Sequence, residues 1–265
     1  MNQILSIICS LMLALAPGIW SVKDQSPVRI PGPGGASAVI ATTPSFVQAA
    51  TNDKNSAGAA DIAATFGSGT ASGNGVAVYV FWSESGTTVP ATGDISDSSS
   101  DTFTYVNKCY LTGGGACAMY LATTVTAGTT AITFKCSTNT GTLSCNGYEG
   151  IVIMEIHGGS RVSDGSAGLN DHAGSTSTNG DPCAAVTTAT DGDLILFGAT
   201  DYYSNSTTFT AGTSPLVGTV PTGGRSANLL ATMEYGTQAT HGSITPTFTG
   251  NSSSNNYMGV CMAVK

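Results

Sequence analysis

The chain has 265 residues, of which 41% are hydrophobic and only 9% are charged, against about 25% charged in an ordinary soluble domain. Eight Lys and Arg against 16 Asp and Glu leave a net charge of −8. So few and scattered cations cannot neutralise a phosphate backbone, which argues against nucleic acid and anionic membrane surfaces as partners.

Residues 1–16 read as a signal peptide. Ile4 to Ala16 is mostly apolar, the right length for a signal core and short of the roughly 20 residues a membrane span needs. Ala14-Leu15-Ala16 resembles a cleavage site, although no Lys or Arg precedes Lys23. Residues 17–35, with SPVRIPGPGG, read as a Pro/Gly linker that fits neither a helix nor a sheet interior. A β-sandwich domain is expected over 36–265.

Short strands between turn signals follow. The first half predicts strands at Ala38 to Gln48, Asp61 to Phe66, Val76 to Trp82, Thr102 to Asn107, Ala118 to Thr126, Thr130 to Cys136 and Gly150 to His157. Val76, Val78, Val80 and Trp82 alternate with Ala77, Tyr79 and Phe81, so both faces of that strand are apolar. Such a strand is central and covered on both sides, or lies at an interface. Residues 158–182 show no strand pattern and are expected to be a long polar loop joining two halves, 36–157 and 183–265. Loops of that length often carry function. The second half predicts strands at Ala184 to Thr190, Asp193 to Tyr203, Thr207 to Ala211, Leu216 to Val220, Ala227 to Tyr235, Ser243 to Thr249 and Tyr257 to Val264. Gly breaks nearly every window of helical length. The fold class is therefore all-β, an antiparallel β-sandwich.

The halves echo one another. GNGVAVYVFWSES at 73–85 is matched by GDLILFGATDYYS at 192–204, and YEGIVIMEI at 148–156 by NYMGVCMAV at 256–264. Between them, CAMYLATTVTAGTTAITFKCS at 117–137 is matched by SANLLATMEYGTQATHGSITPTFTG at 226–250. Two pseudo-repeated halves are expected.

The chain has seven Cys. With Cys9 removed in the leader, the other six admit 15 connectivities. Their spacing suggests Cys109 with Cys117, Cys136 with Cys145, and Cys183 with Cys261. Disulfides point to an extracellular compartment. Free buried thiols are the alternative. A metal site is disfavoured because no Cys-x-x-Cys occurs.

The run ISDSSSDTFTYV at 95–106 resembles a segment of uncharacterised secreted or phage-encoded β-sandwich proteins of jelly-roll or concanavalin-like type. Their pattern "v-D-s-x-g-N-t-y-t" follows a strand introduced by "aGn-l-vv", here SGNGVAVYVFW, and a later "v-x-E-y-s-G" corresponds to IVIMEIHGG. Ser100 replaces the Gly of the pattern and Asp101 its Asn. The resemblance spans roughly residues 44–264. It implies a jelly-roll-like fold and an exported or virion location, and it carries over no active residue.

Chemistry is sparse. Gly-x-Ser-x-Gly is absent, so a serine-hydrolase elbow is not expected. Of the four Glu, Glu155 and Glu234 stand inside apolar strands, where a carboxylate is costly unless paired. They are the best candidates for the two carboxylates of a glycosidase. The plainer reading has both pointing outwards. Asp94, Asp97 and Asp101 could supply oxygen ligands to calcium, although Asp also favours turns for backbone reasons alone. Asp191 and Asp193 form a second acidic step before a strand. Trp82, Tyr79, Tyr202 and Tyr203 could stack on sugar rings, and Asp171 and His172 lie in the expected loop; Trp82 and its neighbours could equally be core.

The sequence thus reads as a secreted or virion-surface, non-catalytic β-sandwich for adhesion, carbohydrate or surface binding, or extracellular structure. Its partner would be a polysaccharide, a cell-surface glycan or further copies of itself. One alternative is a polysaccharide-active glycosidase or lyase on a jelly-roll scaffold. Another is a self-assembling phage or filament subunit.

Overall fold

The computed structural model describes residues 42–54, 56–83, 90–111, 114–139, 143–173, 181–202, 210–212, 216, 218–226, 229–249 and 256–265. The expected leader 1–16, the linker 17–35 and Tyr203 lie outside them. In chain order the strands are β1 (Ser45–Asp53), β2 (Asp61–Thr65), β3 (Gly75–Ser83), β4 (Ile95–Asp97), β5 (Thr104–Leu111), β6 (Gly115–Ala122), β7 (Ala131–Lys135) and β8 (Gly150–His157). There follow β9 (Ser163–Ala173), β10 (Asp181–Pro182), β11 (Val186–Thr188), β12 (Asp193–Tyr202) and β13 (Thr210–Ala211). The chain closes with β14 (Gly218–Ser226), β15 (Leu229–Gln238), β16 (Gly242–Ile244), β17 (Thr247–Thr249) and β18 (Asn256–Val264). Among the described residues the helical structure is a single 3₁₀ turn at Thr92–Asp94, and no helix is long and apolar enough to cross a membrane.

All pairings are antiparallel. One five-stranded sheet runs β1-β8-β3-β6-β5 and a second runs β14-β15-β12-β18-β9. Three smaller sheets are β2-β7-β4, β10-β17-β13 and β11-β16. The period-2 alternation of the strands decides how these stack. Ala77, Tyr79 and Phe81 of β3 share one buried core with Leu194 and Leu196 of β12 and with Met258, Val260 and Met262 of β18. The two five-stranded sheets therefore lie face to face over a common centre. Val76, Val78, Val80 and Trp82, on the other face of β3, pack with Ile62, Ile132 and Phe134 of the β2-β7-β4 sheet. Ile195, Phe197 and Ala199, on the other face of β12, pack with Val186, Leu216 and Cys183. β3 is thus covered on both sides, which accounts for its two apolar faces.

The central seam is close. The Tyr79 hydroxyl lies 2.7 Å from Thr200 Oγ1, joining β3 to β12. A Cβ on Gly198 would collide with the Tyr79 ring, so glycine sets the approach of the two sheets here.

The expected loop 158–182 is corrected in its middle part. Residues 163–173 are strand β9, paired with β18 at the edge of the second sheet. An edge strand needs no apolar alternation, so its polar sequence hides it. Gly165 and Gly168 let it press against the backbone carbonyls of Thr187 and Lys108. Its Asn170 Oδ1 accepts from the Tyr110 N–H at 3.0 Å, linking it to the edge strand β5 of the first sheet.

The three disulfides are those the spacing suggests. Cys109–Cys117 joins register partners of β5 and β6 with Cα atoms 5.0 Å apart. Cys136–Cys145 closes the segment after β7 at 5.8 Å. Cys183–Cys261 fastens the approach to β11 onto β18 at 6.4 Å and spans 78 residues.

Candidate functional site

Glu155 and Glu234 are both buried in strands, and they do not meet. Glu155 is the register partner of Val76 and so faces the outer core of the first half. Glu234 is the register partner of Phe197 and faces the outer core of the second. The shared core lies between them. Stacked sheets are about 10 Å apart, so carboxyls on the far faces of two such sheets exceed the roughly 5–10 Å used by glycosidases. The expected acid–base pair is corrected on this geometry. Their surroundings also differ. Glu155 accepts hydrogen bonds from Gln48 Nε2 at 2.6 Å, Ala71 N at 2.8 Å and Asn74 Nδ2 at 2.7 Å. Glu234 accepts from Gly212 N at 3.1 Å, and its Oε1 has no partner. Burial pushes the Glu234 carboxyl up to about 8, against a smaller opposing pull from the Gly212 N–H.

The acidic run around the 3₁₀ turn is occupied with its own backbone. Asp94 Oδ2 accepts from Ala91 N at 2.7 Å. Asp97 Oδ1 accepts from Ser99 N at 3.1 Å and Asp101 N at 2.9 Å, an Asx-type turn. Asp101 takes the Thr126 N–H at 2.7 Å and its hydroxyl at 2.8 Å. Ser100 has φ 62°, in the left-handed region that favours glycine. Among the described residues no three Asp, Glu, His or Cys side chains group as a metal site.

Tyr79 and Trp82 do not lie where a ligand would meet them, since both are fully buried. Trp82 packs against Phe134 with ring centroids 5.6 Å apart. Three other candidates lie at strand ends on one side of the second sheet, in rows that alternate between its faces. Asp201 of β12, Tyr257 of β18 and His172 of β9 form one row of register partners, and Tyr202, Asn256 and Ala173 form the next. Asp171, His172 and Tyr202 therefore share one end of the second sheet.

The opposite end holds a cluster that the sequence does not announce. Asp164, Asp193 and Lys265 meet where β9 begins, β12 begins and β18 ends. Lys265 Nζ donates to Asp164 Oδ1 at 2.9 Å. Ala189 N and Thr190 N donate to Asp164 Oδ2 at 2.6 and 2.9 Å. Burial works to raise the Asp164 carboxyl, but the Lys265 ammonium, these N–H groups and the adjacent Asp193 outweigh it and hold it down to about 2. Asp193 is raised to about 6 by burial and by the Asp164 carboxyl against it, with Lys265 opposing. The only sequence signal for this cluster is an acidic residue opening an apolar strand.

No protein-family model, no curated protein and no solved structure matches this chain.

Proposed function

We propose that the chain is a non-catalytic, exported or virion-surface binding module for a polysaccharide or cell-surface glycan, engaged at the end of the second sheet that carries Asp171, His172 and Tyr202. The register that brings the ends of β9 and β12 to the same end of the sheet, on either side of β18, supports the reading. The separation of Glu155 from Glu234 favours binding over turnover. The three disulfides suit an oxidising, extracellular location. The side-chain bond between the edge strands β5 and β9 leaves less free edge for filament growth, which favours binding over self-assembly.

We further infer that the halves are pseudo-repeats of a jelly-roll-like plan. The strand neighbours support it: β3 lies between β8 and β6 as β12 lies between β18 and β15. β1 then flanks β8 as β9 flanks β18, and β5 flanks β6 as β14 flanks β15.

The test is retention on insoluble polysaccharides and glycan-bearing cells, with the supernatant assayed for released sugar. Retention without release, lost in Tyr202→Ala and His172→Ala, is the expected outcome. Released reducing sugar would replace the reading with an enzyme. Loss of retention in EDTA would bring calcium in, with Asp94, Asp97 and Asp101 as its first candidate ligands. Absence of retention on every surface would move the proposal to an assembly role.

A further inference from the structure

Asp193 is wholly buried, and neither of its carboxyl oxygens has a hydrogen-bond donor. Its neighbour Asp164 already accepts from three donors and keeps room for a fourth. Two carboxyls in contact resist joint ionisation, and a proton between them converts repulsion into a hydrogen bond. Because Asp164 is committed as an acceptor, that proton resides on Asp193, which donates it towards Asp164.

Several segments converge beside this contact. Lys265, which bonds Asp164 through its side chain, accepts at its carbonyl from Arg161 N at 2.6 Å and from Ser160 Oγ at 3.0 Å. The Lys265 N–H donates to Val162 O at 3.1 Å. The Gly159 N–H donates to the carbonyl of Thr42. A cavity of about 170 Å³ adjoins the cluster, lined by Thr42, Thr43, Pro44, Ser160, Asp193 and Lys265 among others. It gives water a place from which to reach the carboxyl.

We propose that Asp164, Asp193 and Lys265 form a proton-operated clasp. With one proton shared, it fastens the crossover 158–162 and the segment 42–44 to the ends of β12 and β18. With that proton lost, like charges face each other, water enters and the fastening loosens.

The charged groups around Asp193 agree in direction. Asp164 from β9 and Asp191 from the preceding turn disfavour its ionisation, while Lys265 favours it. Asp191 is itself exposed and held by His241 Nδ1 at 2.6 Å. The register partner of Asp193 on β15 is the neutral Gln238. A carboxyl raised in the folded state contributes fully below its ordinary range, and its contribution falls as pH rises through about 6. The clasp therefore holds in mildly acidic surroundings and loosens towards neutrality. Asp164, held near 2, stays ionised throughout that window.

Hydrogen exchange of the full chain between pH 5 and pH 8, corrected for intrinsic rates, tests this. Protection of the Arg161 and Lys265 amides is expected to fall by about tenfold across that range, most of it below about pH 6. Asp193→Asn keeps a neutral donor and is expected to give a flat profile. A flat profile in the unaltered protein, or an undiminished fall in Asp193→Asn, would overturn the clasp. A ¹³C carboxyl titration of the unaltered protein decides the matter even where the variant does not fold. A midpoint near 6 for Asp193 supports the clasp, and one in the ordinary carboxylate range removes it.

Discussion

The outer cores on either side of the shared centre each enclose one glutamate within a strand, and the protein treats the two differently. In the first half Glu155 meets three donors drawn from β1 and from the segment 71–74 that leads into β3. It acts as a hub tying β8 to both. In the second half Glu234 meets one backbone donor and leaves an oxygen unpartnered. Position in a strand is the same and burial is the same. Only the supply of donors differs, and it decides whether the buried carboxyl holds neighbouring segments or burdens the fold. The disulfides differ in a related way. The first half is stapled twice over short spans of 8 and 9 residues, while the second carries one link over 78 residues.

The largest effect is expected from that long link. Replacing Cys183 and Cys261 together by Ala frees a loop whose closure is worth about 4 kcal/mol, against roughly 2.5 kcal/mol for Cys109 and Cys117. Chemical denaturation under non-reducing conditions would compare the two double variants. Equal losses would mean that the halves do not differ in their dependence on cross-links.

Next comes the contrast between the glutamates. Glu155→Ala strands the Ala71 N–H and the Gln48 and Asn74 amides, and should cost about 3 kcal/mol. Glu234→Gln should act in the opposite sense. Burial raises the Glu234 carboxyl to about 8, so the folded state must hold a proton that the unfolded chain releases near its ordinary value. That contribution is intact in acid and is lost as pH rises towards 8. Gln needs no such proton and can still accept from Gly212. Glu234→Gln is therefore expected to stabilise by roughly 2–3 kcal/mol at pH 8 and by little at pH 4. Thermal melts of both variants across that range would show it. A Glu234→Gln melting curve that tracks the unaltered protein at every pH would end the contrast.

The sequence makes much of this frame legible and stops where layers begin. Val76, Val78, Val80 and Trp82 announce a strand, and both faces being apolar announces that it is covered twice. The cysteine spacings announce the two short pairs because each closes a local segment, and Cys183 and Cys261 are the two that remain. Strand β9 is silent: an edge strand bonded on one side by its backbone tolerates Ser, Asp, Gly and Asn, so 163–173 carries no alternation to read. Glu155 and Glu234 are visible as acids in apolar strands. Their faces are not, because that depends on which side of each sheet becomes the shared core. Asp164 and Asp193 stay hidden as a pair for the same reason, since only the register of β9 on β18 brings the start of one strand beside the start of another.

The smallest expected effect lies in the turn between β4 and β5, where the first half is less well served than its glutamate suggests. Asp97 accepts from two backbone N–H groups and Asp101 from Thr126, so the turn is held firmly. Between them Ser100 is forced to φ 62°, where a side chain strains against the backbone. Glycine relieves that strain but gives up more freedom on folding. Ser100→Gly should therefore stabilise by only about 0.5–1 kcal/mol, with the Asp97 and Asp101 bonds unchanged. Paired with Asp101→Ala, it becomes diagnostic. If those bonds are what force the backbone, the gain from glycine should shrink once Asp101 no longer grips Thr126. A gain of the same size in both backgrounds would show that the neighbouring strands, rather than the aspartates, set the turn.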